Sequence, residues 1–197
     1  MEIKEIELNE RNITIFNDVD ESSMSSAVEK IFKINQEDEE WVRNIYRAMD
    51  AAGVKKFDPI AIEMPHIQVL LSTYGGSVYD GLSLYDAIKG SKTEVDVTCF
   101  GKIMSMGIII MLAAKNRRAY RNTTFMIHEM SSISIGKVAD MEDELNETKR
   151  LNKILFDIIK NETEITKKKL DEIYEKKKDW YLTAEEALEL GLITEII

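Results

Sequence analysis

A serine hydroxyl is a weak nucleophile at neutral pH, and hydrolysis through it needs a base, usually a histidine. The chain has two histidines, His66 and His128. His66 follows Pro65 at the entrance to an apolar run and reads as a surface or strand-entry residue. His128 closes the apolar strand Phe125-Met126-Ile127, where a polar side chain needs a reason. Taken alone it fits a satisfied core histidine. Ser105 lies in Gly101-Lys102-Ile103-Met104-Ser105-Met106-Gly107, between a strand and a strongly apolar helix. Its hydroxyl therefore falls near a helix N-terminus, where unpaired N–H groups and the dipole favour developing negative charge. The Met106 N–H can donate to an oxyanion. In isolation Ser105 is equally a plain N-cap. The third piece is Ser72-Thr73-Tyr74-Gly75-Gly76-Ser77, where two glycines after an apolar strand let backbone approach a ligand closely. Their N–H groups can supply a second oxyanion donor. Each signal is weak singly, and their order along the chain gives them force.

The elements that must position these residues alternate between β and α. Asn12 to Phe16 reads as a strand. Met24 to about Ile34 and about Glu39 to Ala52 read as two helices with apolar residues at helical spacing. Ile67 to Ser72 is a near-continuous apolar strand of the kind found inside a covered sheet. Val78 to Ile88 is helical, Val95 to Phe100 a strand, and Met106 to Ala114 a helix apolar all round, hence buried. Thr124 to His128 is a strand, and Val138 to about Lys160 a long helix with Met141, Leu145, Leu151, Leu155 and Ile159 among its apolar positions. Thr183-Ala184-Glu185-Glu186 has the pattern of a capping box, and Gly191 ends the helix it starts. This alternation predicts one α/β domain over residues 1–197. Pro59 and Pro65, the only prolines, bracket an expected loop.

Composition narrows the function classes. A formal net charge of -10 argues against nucleic acid as the main partner, because phosphate binding needs basic clusters. The Lys167-Lys168-Lys169 and Lys176-Lys177-Lys178 runs are flanked by acids and read as solvated helix faces. The single cysteine, Cys99, cannot form a disulfide within the chain and reads as a buried thiol. The charged first residues carry no signal-peptide core, and the longest apolar run, Met106 to Ala114, is too short to span a bilayer. A soluble cytoplasmic protein is expected.

Five stretches taken in order resemble the Clp protease proteolytic subunit. They are Tyr74-Gly75-Gly76-Ser77-Val78, Leu84-Tyr85-Asp86, Met104-Ser105-Met106-Gly107, Met126-Ile127-His128 and Ala184 through Ile193. The family reads roughly SPGGSV, IYD, ASMG, MIHQP and SAEEALEYGLI at these places. The resemblance runs from about Ile67 to the C-terminus. It implies Ser105 as nucleophile, His128 as base, and oxyanion donors at the N–H groups of Gly76 and Met106. It also implies Asp179 as the acid, a few residues before the last stretch; spacing alone does not choose Asp179 over Asp171. The chain order Ser, His, Asp differs from that of the α/β-hydrolases, whose G-x-S-x-G elbow is also incomplete here, with Ile103 in place of its first glycine.

The resemblance further implies a Clp/crotonase-type ββα spiral with a protruding handle helix at 137–162. Subunits would form a ring of seven, or two stacked rings, around the sites. The reaction would be endoproteolysis of unfolded polypeptide with no metal or organic cofactor. A Clp-type ATPase would supply unfolding, because the chain has no P-loop. Several features depart from the family pattern. An insertion of roughly 25 residues is expected within 39–65, carrying Trp41 and Tyr46. The leader that forms axial pore loops is not evident before Glu5. Tyr74 replaces a proline, Glu129-Met130 replaces Gln-Pro, Ser131 to Gly136 keeps one glycine, and Trp180 stands in place of an arginine that helps join rings. Two alternatives stay open: a specialised viral or self-processing peptidase on the same fold, and a non-peptidase protein, either a ring scaffold or a crotonase-like acyl-CoA protein.

Overall fold

The computed structural model describes residues 11–54, 64–129, 137–176 and 178–197. Residues 1–10, Pro59, Met130 and the Ser131–Gly136 stretch lie outside them. Strand β1 (Asn12–Ile15) leads into helix α1 (Glu21–Ala51), then β2 (Ile67–Thr73), α2 (Val78–Lys89), β3 (Val95–Met104) and α3 (Met106–Leu112). There follow β4 (Asn116–Ala119), β5 (Thr124–Ile127), α4 (Val138–Glu162), α5 (Lys167–Lys176), β6 (Trp180–Leu182), α6 (Ala184–Glu189) and β7 (Glu195–Ile196). The sheet runs β1-β2-β3-β4-β7, with β5 on β3 and β6 on β5. Every pairing is parallel except β5 with β6.

The apolar run Ile67-Gln68-Val69-Leu70-Leu71 makes β2 a central strand, with Ile67, Val69 and Leu71 wholly buried. Strand β3 is longer than expected because it serves two partners. Asp96 to Cys99 pair with β4, and Lys102 to Met104 pair with β5. Between the two sets stands Gly101 at φ +57, a conformation that glycine adopts without the Cβ penalty. The fork sends the far end of β3 toward β5 and delivers Ser105 to its tip. Helix α3 is buried along its whole length, as its all-apolar sequence requires. Cys99 is fully buried on β3, and burial pushes its thiol pKa up.

The two helices expected between Met24 and Ala52 are a single helix of 31 residues. No glycine or proline interrupts Ile34-Asn35-Gln36-Glu37-Asp38-Glu39, so nothing ends the first helix there. The polar gap in the apolar pattern is a buried seam. Asp38 accepts two hydrogen bonds from Arg11, at 2.8 and 2.6 Å, and one from the Thr93 hydroxyl. Asn35 accepts from the Ser91 hydroxyl and the Thr93 N–H. The expected insertion therefore begins as a continuation of α1, and the rest of it up to 63 lies outside the described residues.

Strands β4, β6 and β7 add to the expected set. In β4 the Arg117 guanidinium is buried and donates to the carbonyls of Ala114 and Gly191, clamping the end of α3 to the turn after α6. In α5 Lys167 and Lys168 are exposed as expected, Lys169 is half-buried with its ammonium 4.4 Å from the Trp180 ring centroid, and Leu170 and Ile173 are buried. The capping box at Thr183 and Glu186 is present, and Gly191 has φ +71. No helix among the described residues is long and apolar enough to cross a membrane.

Candidate active site

Ser105 is the only non-glycine residue among those described with positive φ, at 53° with ψ -120°. A side chain held there stores strain, which persists only where the surroundings dictate it. The surroundings here are specific. The Ser105 N–H donates to the Met126 carbonyl at 2.9 Å, and its own carbonyl accepts from the Ile108 N–H at 3.0 Å. The turn between strand and buried helix is thus pinned on both sides. The Ser105 hydroxyl makes no capping bond to the helix. It lies 2.8 Å from Nε2 of His128. An N-cap serine would turn its oxygen to the helix N–H groups, so the plain capping role is not the one adopted.

His128 reaches this point because β5 pairs with the distal arm of β3, Met104 opposite Met126. Two residues past Met126, the chain is level with the serine. On the other edge, β5 pairs antiparallel with β6, Ile127 opposite Trp180. The pairing ends there, and His128 and Asp179 are the next residues beyond it on the two chains. Asp179 is exposed, and no hydrogen bond joins it to His128 in this conformation. Asp171, the carboxylate that spacing left open, is instead paired with Lys167 at 2.7 Å along α5. His66 is far along the sheet from this site in register, bonded through Nδ1 to Asp96 at 3.1 Å at the start of β2, as a strand-entry residue.

The Gly-Gly turn packs directly on the serine. A Cβ on Gly75 would lie 2.7 Å from Ser105 Cβ, 2.9 Å from the Met104 carbonyl oxygen and 3.0 Å from the Met106 nitrogen. Only glycine allows that approach, and φ +101 independently favours it. The turn is held from outside by Val19. Its N–H donates to the Gly75 carbonyl and its carbonyl accepts from the Ser77 N–H, both at 2.8 Å. That bridge leaves the intervening Gly76 N–H unused. The Gly75 N–H donates to the Thr73 hydroxyl. Met106 opens α3, so its N–H is among those the helix leaves without an internal acceptor.

Ser105, His128, Gly76 and Met106 all line one cavity of about 600 Å³. Its far wall comes from α4, through Leu151, Leu155, Phe156 and Ile159. Leu151, Leu155 and Ile159 read from the sequence as one apolar stripe, but the stripe alone does not connect them with the site. Sequence reasoning also misses Val19 and Thr73, whose part is played by backbone or by a buried hydroxyl. The apolar spacing on α4 is the available signal for the wall. For Val19 the one signal is that Val19-Asp20-Glu21 resembles the family's V-D-D or V-E-D turn, which does not connect it with the Gly-Gly turn.

The described geometry is a parallel-sheet α/β domain in which one strand ends on a strained serine, with a histidine on its hydroxyl. The same fold is found in a point mutant of ClpP1 from Listeria monocytogenes, with a TM-score of 0.72 at 23% identity, covering 96% of this chain and 92% of that one. The sequence profile of the Clp protease family matches residues 60–197, and the chain belongs to that family. Relatives named ATP-dependent Clp protease proteolytic subunit include one from Deinococcus radiodurans, 35% identical over 133 residues. Another, proteolytic subunit 1 from Borreliella burgdorferi, is 32% identical over 133 residues, which cover 66% of this chain and 68% of that protein. The Deinococcus match covers 66% of this chain and 64% of the relative, so the chain spans slightly under two thirds of that protein.

Proposed function

We propose that this chain is a serine endopeptidase, the proteolytic subunit of an ATP-dependent Clp-type protease, acting in the cytoplasm on unfolded polypeptide. The observation that carries the reading is the 2.8 Å contact between Ser105 Oγ and His128 Nε2, made by a serine in a strained turn that forgoes its capping bond. In that arrangement His128 takes the Ser105 proton as the oxygen attacks a peptide carbonyl, then returns it to the leaving amine. The N–H groups of Gly76 and Met106 receive the oxyanion, each donor contributing roughly 3–4 kcal/mol to the barrier reduction. Asp179, which like His128 is the next residue beyond the β5–β6 pairing, turns its carboxylate inward to accept from Nδ1. That bond fixes the tautomer that leaves Nε2 free as the acceptor. Water then releases the acyl-enzyme.

The cavity beside the serine is lined by aliphatic and aromatic side chains and suits an apolar side chain on the residue whose carbonyl is attacked. The family membership supports a ring of subunits, of seven or two times seven, enclosing the sites, with a Clp ATPase feeding it. Exposed Val138, Met141 and Leu145 on the first half of α4 fit contacts between subunits.

A fluorophosphonate probe tests the core of the reading. It should label the protein, and Ser105→Ala should abolish the label. Labelling that survives in Ser105→Ala refutes the assignment of the nucleophile. Absence of labelling in an assembled ring favours the scaffold alternative.

A further inference from the structure

The cavity has one wall that is not part of the sheet and its directly packed helices. That wall is α4, and residues 137–146 at its start are all exposed. Glu147 is the first residue of α4 that is not. Both of its carboxylate oxygens are engaged there. Oε1 accepts from the Tyr79 hydroxyl at 2.5 Å and from an Arg150 Nη at 2.6 Å, and Oε2 accepts from Arg150 Nε at 2.7 Å. The paired hydrogen bonds from Arg150 fix the plane of the carboxylate and aim its remaining lone pair at Tyr79. These donors hold the Glu147 carboxyl at a pKa of about 2, with Arg150 the larger influence and Tyr79 the next.

Tyr79 belongs to the first turn of α2, two residues after Ser77, and its side chain lines the cavity beside Gly76 and Val78. The bond therefore joins the helix that follows the Gly-Gly turn, through a residue that lines the cavity, to the helix that carries the apolar wall. A second tie, Lys89 to Glu162 at 2.7 Å, joins the other ends of the same two helices. The ties are 10 residues apart on α2 and 15 on α4, roughly 15 and 22 Å of helix. Of the two ties, only Tyr79–Glu147 includes a residue that lines the cavity together with Ser105.

We propose that Tyr79 and Glu147, with Arg150 orienting Glu147, form a latch that sets the width of the pocket for the substrate residue preceding the scissile bond. They are specificity-determining and positioning residues. The latch rests on the peptidase reading of the same cavity. Its chemistry is a neutral phenol donating to a carboxylate that Arg150 keeps ionised. With the latch closed, Leu151 and Leu155 stand at a fixed distance from the oxyanion donors and grip a large apolar side chain. With it open, α4 swings from its C-terminal tie and that grip weakens. A methyl side chain never reaches α4 and is indifferent to the change.

The test compares Tyr79→Phe, Glu147→Ala and Glu147→Gln with the wild type on fluorogenic peptides that differ only in that residue, alanine against leucine and phenylalanine. Fluorophosphonate labelling rates are measured alongside. Tyr79→Phe and Glu147→Ala should raise KM for the leucine and phenylalanine peptides by about three- to tenfold with kcat within twofold. The alanine peptide and the labelling rate should stay within twofold. Glu147→Gln keeps an acceptor for Tyr79 and should restore most of the discrimination. Unchanged leucine-to-alanine ratios in Tyr79→Phe and Glu147→Ala overturn the latch while wild-type labelling leaves the peptidase reading standing. Equal losses for all peptides overturn it too, since they indicate general damage to the site. A wild type that neither labels nor cleaves removes the peptidase reading and the latch with it.

Discussion

Replacing Gly75 with alanine offers a sharp test of the site geometry, because the new atom has one destination. Its Cβ would stand 2.7 Å from Ser105 Cβ, 2.9 Å from the Met104 oxygen and 3.0 Å from the Met106 nitrogen. Ordinary carbon–carbon contact is about 3.5–4.0 Å, so the serine turn must retreat by about 1 Å. None of the three obstacles is the loose end of a flexible side chain. The retreat stretches the 2.8 Å contact with His128 and moves the Met106 donor together with the nucleophile. A misplacement of that size costs about 10²-fold in rate, and spoiling an oxyanion donor about 10²–10³-fold. Because one movement causes both losses they do not multiply, and a kcat reduction of about 10²–10³ is expected. At φ +101 the alanine also stores backbone strain of about 1–3 kcal/mol, with a similar amount for overpacking. Melting should fall by about 10 °C. Gly53→Ala is the matched control. Gly53 also has positive φ, at 74°, but a Cβ there meets nothing within 4 Å. It should cost on the order of 1 kcal/mol of stability and leave kcat unchanged. Both proteins are assayed for peptide hydrolysis below their melting temperatures. A Gly75→Ala enzyme whose kcat stays within threefold of wild type refutes the close approach of the Gly-Gly turn to the nucleophile.

Other outcomes follow from separate features. Asp179→Asn should lower kcat by about 10⁴ through loss of the correct imidazole tautomer, whereas Asp171→Asn, whose carboxylate serves Lys167, should leave kcat within twofold; steady-state kinetics decide between the two. Asp38→Asn leaves Arg11 buried beside a neutral amide and should destabilise by about 3–5 kcal/mol in urea titration, with the Arg11→Met/Asp38→Leu pair losing much less. The Asp96 carboxyl is pushed up by burial, but hydrogen bonds from Asn116, Gln68 and His66 outweigh this and hold it below its ordinary 3.8. A depressed carboxyl contributes stability above its unfolded pKa and loses it as pH falls through the folded one. Urea midpoints should therefore drop below about pH 4, and the drop should be shallower in Asp96→Asn.

Where hydrophobic pattern and fold agree, the sequence is an adequate guide. The run at Met106–Ala114 corresponds to a wholly buried helix, and that at Ile67–Ser72 to a central strand with one face fully buried and the other half-buried around Gln68. The meeting of Ser105 with His128 is legible only through the order of the five stretches and the resemblance they carry, since alone Ser105 is equally a plain N-cap and His128 a satisfied core histidine. Polar groups buried in pairs defeat the reading. Asp38 looks like a break between helices, although Arg11 and Thr93 carry it into the interior. Arg117 carries no signal in the sequence, although its buried guanidinium donates to two carbonyls. Strands of two to four residues, β4, β6 and β7, carry too little alternation to be recognised, and β6 is the one whose pairing with β5 ends next to His128 and Asp179. The choice between Asp171 and Asp179 thus depends on a pairing between β5 and β6 that no local pattern records.

The union of α1 into one rod has a consequence for how this lineage can vary. Added residues that prolong a helix beyond its last anchored turn need no new chain reversal inside the domain. Here the anchoring is done by Asn35 and Asp38 against Ser91, Thr93 and Arg11. Past that seam the rod keeps lighter ties, Glu39 to Lys92 and a half-buried face that includes Trp41, Val42 and Tyr46. Substitutions at its exposed positions Arg43, Arg47 and Asp50 can therefore change the surface chemistry of the rod while the distance between nucleophile and base stays the same.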